Sequence, residues 1–142
     1  MVFSSHNVVS SENETAEVAR EFSKALSLGD IVLLNGDLGS GKTFFVRCVC
    51  LEFGIKNVSS PSFAIVNEYH NHKKIIHFDF YRIKKVEELY DIGFEDYINS
   101  NEAIVFIEWA NMFPVILPKR NYQIEFKFVN NSSRKISILK NE

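Results

Sequence analysis

Apolar residues recur at two spacings along this chain, and the switch between them predicts layered helices and strands. Ala16, Ala19, Phe22 and Leu26 fall at helical spacing behind Ser11 and Glu14, which make a capping box. A helix is predicted from there to about residue 28, where Gly29-Asp30 turns the chain. Ile31-Val32-Leu33-Leu34 is a continuous apolar run, the pattern of a buried strand. A second helix is predicted over residues 43–53, closed by Gly54. Strand patterns follow over 63–69 and 75–80, with His70-Asn71-His72-Lys73 as a hairpin tip between them. Two short helices are predicted at 86–92 and 94–98, separated by Gly93, and then a buried strand at 103–107. Residues 122–129 and 135–139 flank Asn130-Asn131-Ser132-Ser133 and predict a closing hairpin. The sum is an α/β sandwich with a mixed, partly parallel sheet. No linker divides residues 1–142, so a single domain is expected.

Between the first strand and the second helix lies Gly36-Asp37-Leu38-Gly39-Ser40-Gly41-Lys42-Thr43, with Phe44 directly after it. This fits Gly-x-x-x-x-Gly-Lys-[Ser/Thr] in the strand–loop–helix setting that a phosphate-binding loop needs. Glycines let the backbone curl around phosphate, and the helix N-terminus adds partial positive charge. Lys42 is placed to meet the β- and γ-phosphates, and the Thr43 hydroxyl to ligate magnesium. Hydrolysis also needs a carboxylate near the metal, and two strands end in one. Ile104-Val105-Phe106-Ile107 delivers Glu108, and Ile75-Ile76-His77-Phe78 delivers Asp79. His77, Asp79 and Tyr81 share a strand face by the two-residue period. The residues alone leave open which carboxylate holds metal, and whether His77 is structural or catalytic. Ser60-Pro61-Ser62-Phe63 is a turn signal where many phosphate-loop enzymes carry a switch. Trp109, the only tryptophan, follows Glu108 as packing, partner contact or lid.

Composition trims the field. With 46% apolar and 24% charged residues the chain matches an ordinary globular protein, and a cytoplasmic location without a membrane span or secretory leader is expected. A net charge of -2 argues against a surface that draws nucleic acid as a whole. Lys73-Lys74, Lys84-Lys85 and Lys119-Arg120 are local basic pairs, most simply solvated charge. Cys48 and Cys50 are two apart on one predicted helix, which suits neither disulfide nor metal site, so reduced thiols with at least one in the core are expected. The chain lacks an Asn-Lys-x-Asp guanine reader, an Arg-rich kinase lid and a Leu-Ser-Gly-Gly signature. A small ATPase acting on a protein partner survives these exclusions. An ATP-sensing binding module and a small P-loop kinase are the alternatives.

The phosphate loop, Ser60-Pro61-Ser62-Phe63, His77-Phe78-Asp79-Phe80-Tyr81-Arg82 and Glu108-Trp109 together resemble the TsaE family, in order and spacing over nearly the whole chain. The resemblance implies a small P-loop NTPase-like three-layer sandwich and a Mg2+-dependent ATPase of tRNA threonylcarbamoyladenosine synthesis. It implies TsaD and TsaB as partners, reset between turnovers by the ATP cycle, with tRNA touched at most indirectly. By the same resemblance Asp37, Leu38, Gly39, Ser40, Gly41, Lys42, Thr43 and Phe44 bind ATP. Glu12, Thr15 and Arg134 fall near the nucleoside. Thr43, Asp79 and Glu108 hold the metal, with Lys42, Asp79 and Glu108 as the catalytic set. Ser62 stands where the family usually has Thr, and Ser40 where Ala is common. Hydrolysis by the isolated chain is expected to be weak, since no arginine finger is obvious in the sequence.

Overall fold

The computed structural model describes residues 4–58 and 65–142. The first elements are β1 (Ser4–Val9), α1 (Glu12–Ser23), β2 (Ile31–Gly36) and α2 (Lys42–Glu52). The hairpin strands β3 (Val66–His70) and β4 (Lys74–Asp79) follow, then α3 (Glu87–Asp91) and α4 (Phe94–Asn99). The chain closes with β5 (Ile104–Glu108), two single 3-10 turns (Ala110–Met112 and Pro114–Ile116), β6 (Asn121–Phe128) and β7 (Arg134–Asn141).

Among the described residues the strands form one sheet in the order β1-β7-β6-β2-β5-β4-β3. β6, β2, β5 and β4 run parallel; β7 and β3 pair antiparallel at either side, and β1 pairs antiparallel with β7 at the edge. Alternation on β2 splits the core into two layers. Val32 and Leu34 face α1 and α2 with Phe22, Phe45 and Phe126. Ile31 and Leu33 face the opposite side, where Phe78, Phe80, Leu89 and Phe94 fill the space under α3 and α4. β2 is therefore buried on both faces, which is why its sequence is an unbroken apolar run. The three-layer α/β sandwich with a mixed sheet is the architecture expected from the sequence.

The structure departs from the sequence reading at the end of α1 and at the N-terminal strand, and agrees with it at the cysteines. α1 ends at Ser23 rather than near residue 28. Ala25 and Leu26 instead make 3-10-type bonds to Phe22 and Ser23, while Asp30 caps the Ser27 amide. The chain needs those residues to reverse before β2, and Leu26 keeps its place in the core outside the helix. β1 had no counterpart in the sequence reading; it pairs with β7 along its full length. Both cysteines are buried, because α2 is covered nearly all round. Among the described residues no helix is long and apolar enough to cross a membrane.

Candidate functional site

The site forms at the carboxyl ends of β2, β4 and β5, where open α/β sheets place ligands. β2 ends at Gly36, and the loop turns into α2 through Gly39 (φ +75°) and Gly41 (φ +109°). A side chain at Gly41 is disfavoured by its φ, while the nearby Arg134 Nη1, 2.9 Å from where a Cβ would stand, is the movable end of a long side chain. The loop closes around the Lys42 ammonium, which donates to Gly36 O at 2.5 Å and Asp37 O at 2.9 Å. The ammonium also lies 4.2 Å from the Trp109 ring centroid. Burial pulls the Lys42 ammonium below its ordinary lysine value, although Glu108, Asp79 and Asp37 attract its charge.

Parallel pairing of β4 with β5 sets Asp79 opposite Glu108. Thr43, in the first turn of α2, donates its hydroxyl to Glu108, 2.8 Å from Oε1 and 2.9 Å from Oε2. Glu108 is buried, and its Oε2 also lies 2.6 Å from Nε2 of the fully buried His77. Asp79 accepts the Tyr81 amide at 2.9 Å. Burial raises the Asp79 carboxyl above its ordinary value and the neighbouring Glu108 charge adds to this; the Tyr81 amide, His77 and Lys42 act against it. Trp109 sits at φ +58°, a left-handed conformation that a bulky residue adopts only when its surroundings impose it. Its amide continues the ladder to Leu34 O, and its ring packs 4.9 Å from that of Tyr81.

A cleft of about 720 Å³ opens over these groups. Lys42, Thr43, Asp79 and Glu108 line it together with Leu38, Gly39, Gly41 and Phe44. Glu12, Thr15 and Arg134 line it from α1 and the start of β7. Asp37 and Ser40 are outside this lining: Asp37 enters through its carbonyl, and Ser40 is fully buried with Oγ 3.5 Å from Lys42 Nζ. Ser60 to Phe63 lie outside the described residues. Ser10 and Ser132 also line the cleft and were not singled out from sequence, and Arg82, quoted only as part of the His77–Arg82 block, lines it too. Ser10 and Ser132 carry no motif; only the meeting of β1 and β7 brings their loops together. Arg82 lies three residues past the site end of β4.

The donor set is hard oxygen, from two carboxylates and a hydroxyl, which suits a magnesium ion whose shell is completed by phosphate and water. Among the described residues no group of three or more His, Cys, Asp or Glu is arranged to hold a metal.

Comparison with known proteins follows the same line. Residues 9–136 match the family model of the threonylcarbamoyl adenosine biosynthesis protein TsaE. The chain is 40% identical over 137 residues to the tRNA threonylcarbamoyladenosine biosynthesis protein TsaE of Rickettsia typhi, covering 94% of each. It is 32% identical over 126 residues to TsaE of Bacillus subtilis, covering 87% of this chain and 78% of that protein. The crystal structure of Bacillus subtilis YdiB superposes with a TM-score of 0.84 at 26% identity, over 100% of this chain and 88% of that one.

Proposed function

Because this chain belongs to the TsaE family of tRNA threonylcarbamoyladenosine biosynthesis proteins, we propose that it is a magnesium-dependent ATPase serving that modification in the cytoplasm. The observation that carries the reading is the seating of Lys42 and Thr43 at the start of α2, with the Thr43 hydroxyl on the Glu108 carboxylate. Lys42 leaves its two carbonyl acceptors to clamp the β- and γ-phosphates, and the helix N-terminus supports their charge. Thr43, Glu108 and Asp79 are the residues that would hold magnesium, which would neutralise charge on the phosphates. Glu108 keeps the Thr43 proton, leaving the hydroxyl lone pairs free. Asp79 sits beside it as the second carboxylate, at the metal or the attacking water. The floor between α1 and β7, with Glu12, Thr15 and Arg134, takes the nucleoside.

Two arginines border the cleft, yet Arg134 is turned onto Gly39 O at 3.5 Å and the Phe128 ring. Turnover by the isolated chain is expected to be slow, with a partner completing the site. The partners are TsaB and TsaD, whose complex the ATP cycle resets between rounds of threonylcarbamoyl transfer.

The test is threonylcarbamoyl-tRNA formed per TsaB–TsaD complex under Mg-ATP, with and without this chain. Many turnovers with the wild type, against about one without it or with Lys42→Ala, support the reading. An unchanged yield overturns the reset role. If a non-hydrolysable analogue serves as well as ATP, the chain is a nucleotide sensor instead.

A further inference from the structure

Behind Thr43 and Glu108 stand two buried polar atoms that the nucleotide site does not use. Among the described residues, His77 Nδ1 and Asn67 Nδ2 are buried without a hydrogen-bond partner. Asn67 on β3 and His77 on β4 are register partners. Both lie on the α2 side of the sheet, since Tyr69 and Ile75, each two residues away, pack into that core. Directly opposed residues of antiparallel strands hold their Cβ atoms about 4.5–5.5 Å apart. Side chains at that spacing are within reach of one another.

The chemistry of the ring fixes the direction of that bond. His77 Nε2 lies 2.6 Å from Glu108 Oε2, and an ionised carboxylate only accepts. In the neutral ring the proton therefore sits on Nε2, which leaves Nδ1 as a lone pair. The orphaned Asn67 Nδ2 is a donor. The two unsatisfied atoms are complementary, so a bond between them would extend the His77–Glu108–Thr43 line to the edge strand.

We propose that His77, with Asn67 behind it, is a positioning residue that holds the Glu108 carboxylate on the Thr43 hydroxyl and away from Lys42. This rests on the nucleotide reading above. Lys42 Nζ bonds the Gly36 and Asp37 carbonyls, while Glu108 exerts the largest attraction on its charge. A carboxylate released from His77 would swing onto that ammonium and occupy the group meant for phosphate. Groups that orient a metal ligand from behind are typically worth about 10–100-fold in metal affinity or activity.

The experiment titrates a fluorescent ATP analogue with and without Mg2+ into the wild type, His77→Leu, His77→Gln and Asn67→Leu. Nitrogen-15 spectra of the histidine rings are recorded without nucleotide. His77→Leu is expected to lose about 10–100-fold of the Mg2+-dependent gain in affinity, with a lowered Tm from the lost partner of buried Glu108. Gln, which can donate from a similar position, recovers most of that loss. The spectra are expected to show the His77 proton on Nε2 and an Nδ1 resonance that moves in Asn67→Leu. An undiminished Mg2+ gain in His77→Leu, or a proton on Nδ1, overturns the proposal. A wild type with no Mg2+ gain defeats the nucleotide reading instead, and the spectra still decide whether Asn67, His77 and Glu108 form one chain.

Discussion

Replacing Lys42 with Met separates what the lysine does for the empty loop from what it does for a nucleotide. The ammonium has two carbonyl acceptors, Gly36 O at 2.5 Å and Asp37 O at 2.9 Å, and an aromatic face at 4.2 Å. Hydrogen bonds from a charged group contribute about 1.5–3 kcal/mol each, while removing an ion from water costs several kcal/mol. The proton affinity shows which wins. Lys42 is held below its ordinary value by burial, despite three attracting carboxylates. The folded state thus disfavours the cation relative to the unfolded chain. Met, of similar length and neutral, should leave the nucleotide-free protein as stable as the wild type or more so. Between the lowered folded value and the ordinary lysine value the unfolded chain binds more protons, so wild-type stability rises with pH there and the Met advantage shrinks. Nucleotide binding exchanges the carbonyl acceptors for phosphate oxygens. The net loss in the variant is then about one charge-assisted bond, roughly 1.5–3 kcal/mol, or about ten- to a hundredfold in Kd. Thermal melts of the empty protein and titration with a fluorescent ATP analogue measure the two halves. A Met variant that melts more than about 4 °C lower, on the order of 1 kcal/mol at this size, would refute the account of the empty loop. Unchanged affinity would refute the clamp.

Asp79→Asn keeps the acceptor for the Tyr81 amide and removes a carboxylate that burial and Glu108 hold above its ordinary value. Wild-type stability falls as pH rises from the ordinary to the raised value, so the variant should match the wild type in acid and exceed it at neutral pH. Melts across that range test this, and an offset independent of pH counts against it. Thr43→Val deletes the hydroxyl donor to buried Glu108 and should cost about 1–3 kcal/mol, read as a lower urea midpoint at constant m, with loss of the Mg2+ response. No change in midpoint would show that His77 alone satisfies the carboxylate. Gly36→Ala would put a Cβ 2.7 Å from Phe126 O and 2.9 Å from its Cβ, whereas at Gly39 nothing stands within 4 Å. Gly39→Ala should cost only its left-handed backbone, about 1–2 kcal/mol, and Gly36→Ala clearly more; equal losses by denaturation would contradict the packing.

Periodicity was enough for what lies near the centre of the sheet, because those positions are decided by burial. Ile31 to Leu34 and Ile104 to Ile107 are buried on both faces, and no other pattern suits them. Lys42, Thr43 and Glu108 were legible for the same reason, since each stands at the end of such a strand or on the helix after it. Legibility fell at the edges. β1 has a weak alternation of polar residues, and its strand character comes from pairing with β7. α1 obeyed its stripe as far as Phe22, after which the turn at Asp30 overrode helical spacing while Leu26 stayed buried. His77 was ambiguous in sequence because a buried histidine and a site histidine have the same neighbours. The cross-strand match to Asn67 is invisible without the hairpin register.

That register also explains why an acidic pair persists where it is unfavourable. Asp79 stands opposite Glu108 because Ile75 pairs with Ile104 and Phe78 with Ile107, all buried. A slip of one residue would move both apolar rows to the wrong face, at a cost far above the repulsion between two carboxylates. The core therefore imposes the charge arrangement, and the local groups must accommodate it. They do so at visible expense: Asp79 is held above its ordinary value, Lys42 below it, and Trp109 is left-handed at the strand end. Lys42 and the carboxylates offset one another only in part, since Lys42 bonds carbonyls and burial still prevails at both Lys42 and Asp79. A cation bridging the carboxylates and an anion meeting Lys42 would relieve them together. Magnesium with a triphosphate is that combination, and it is the ligand proposed above for this site.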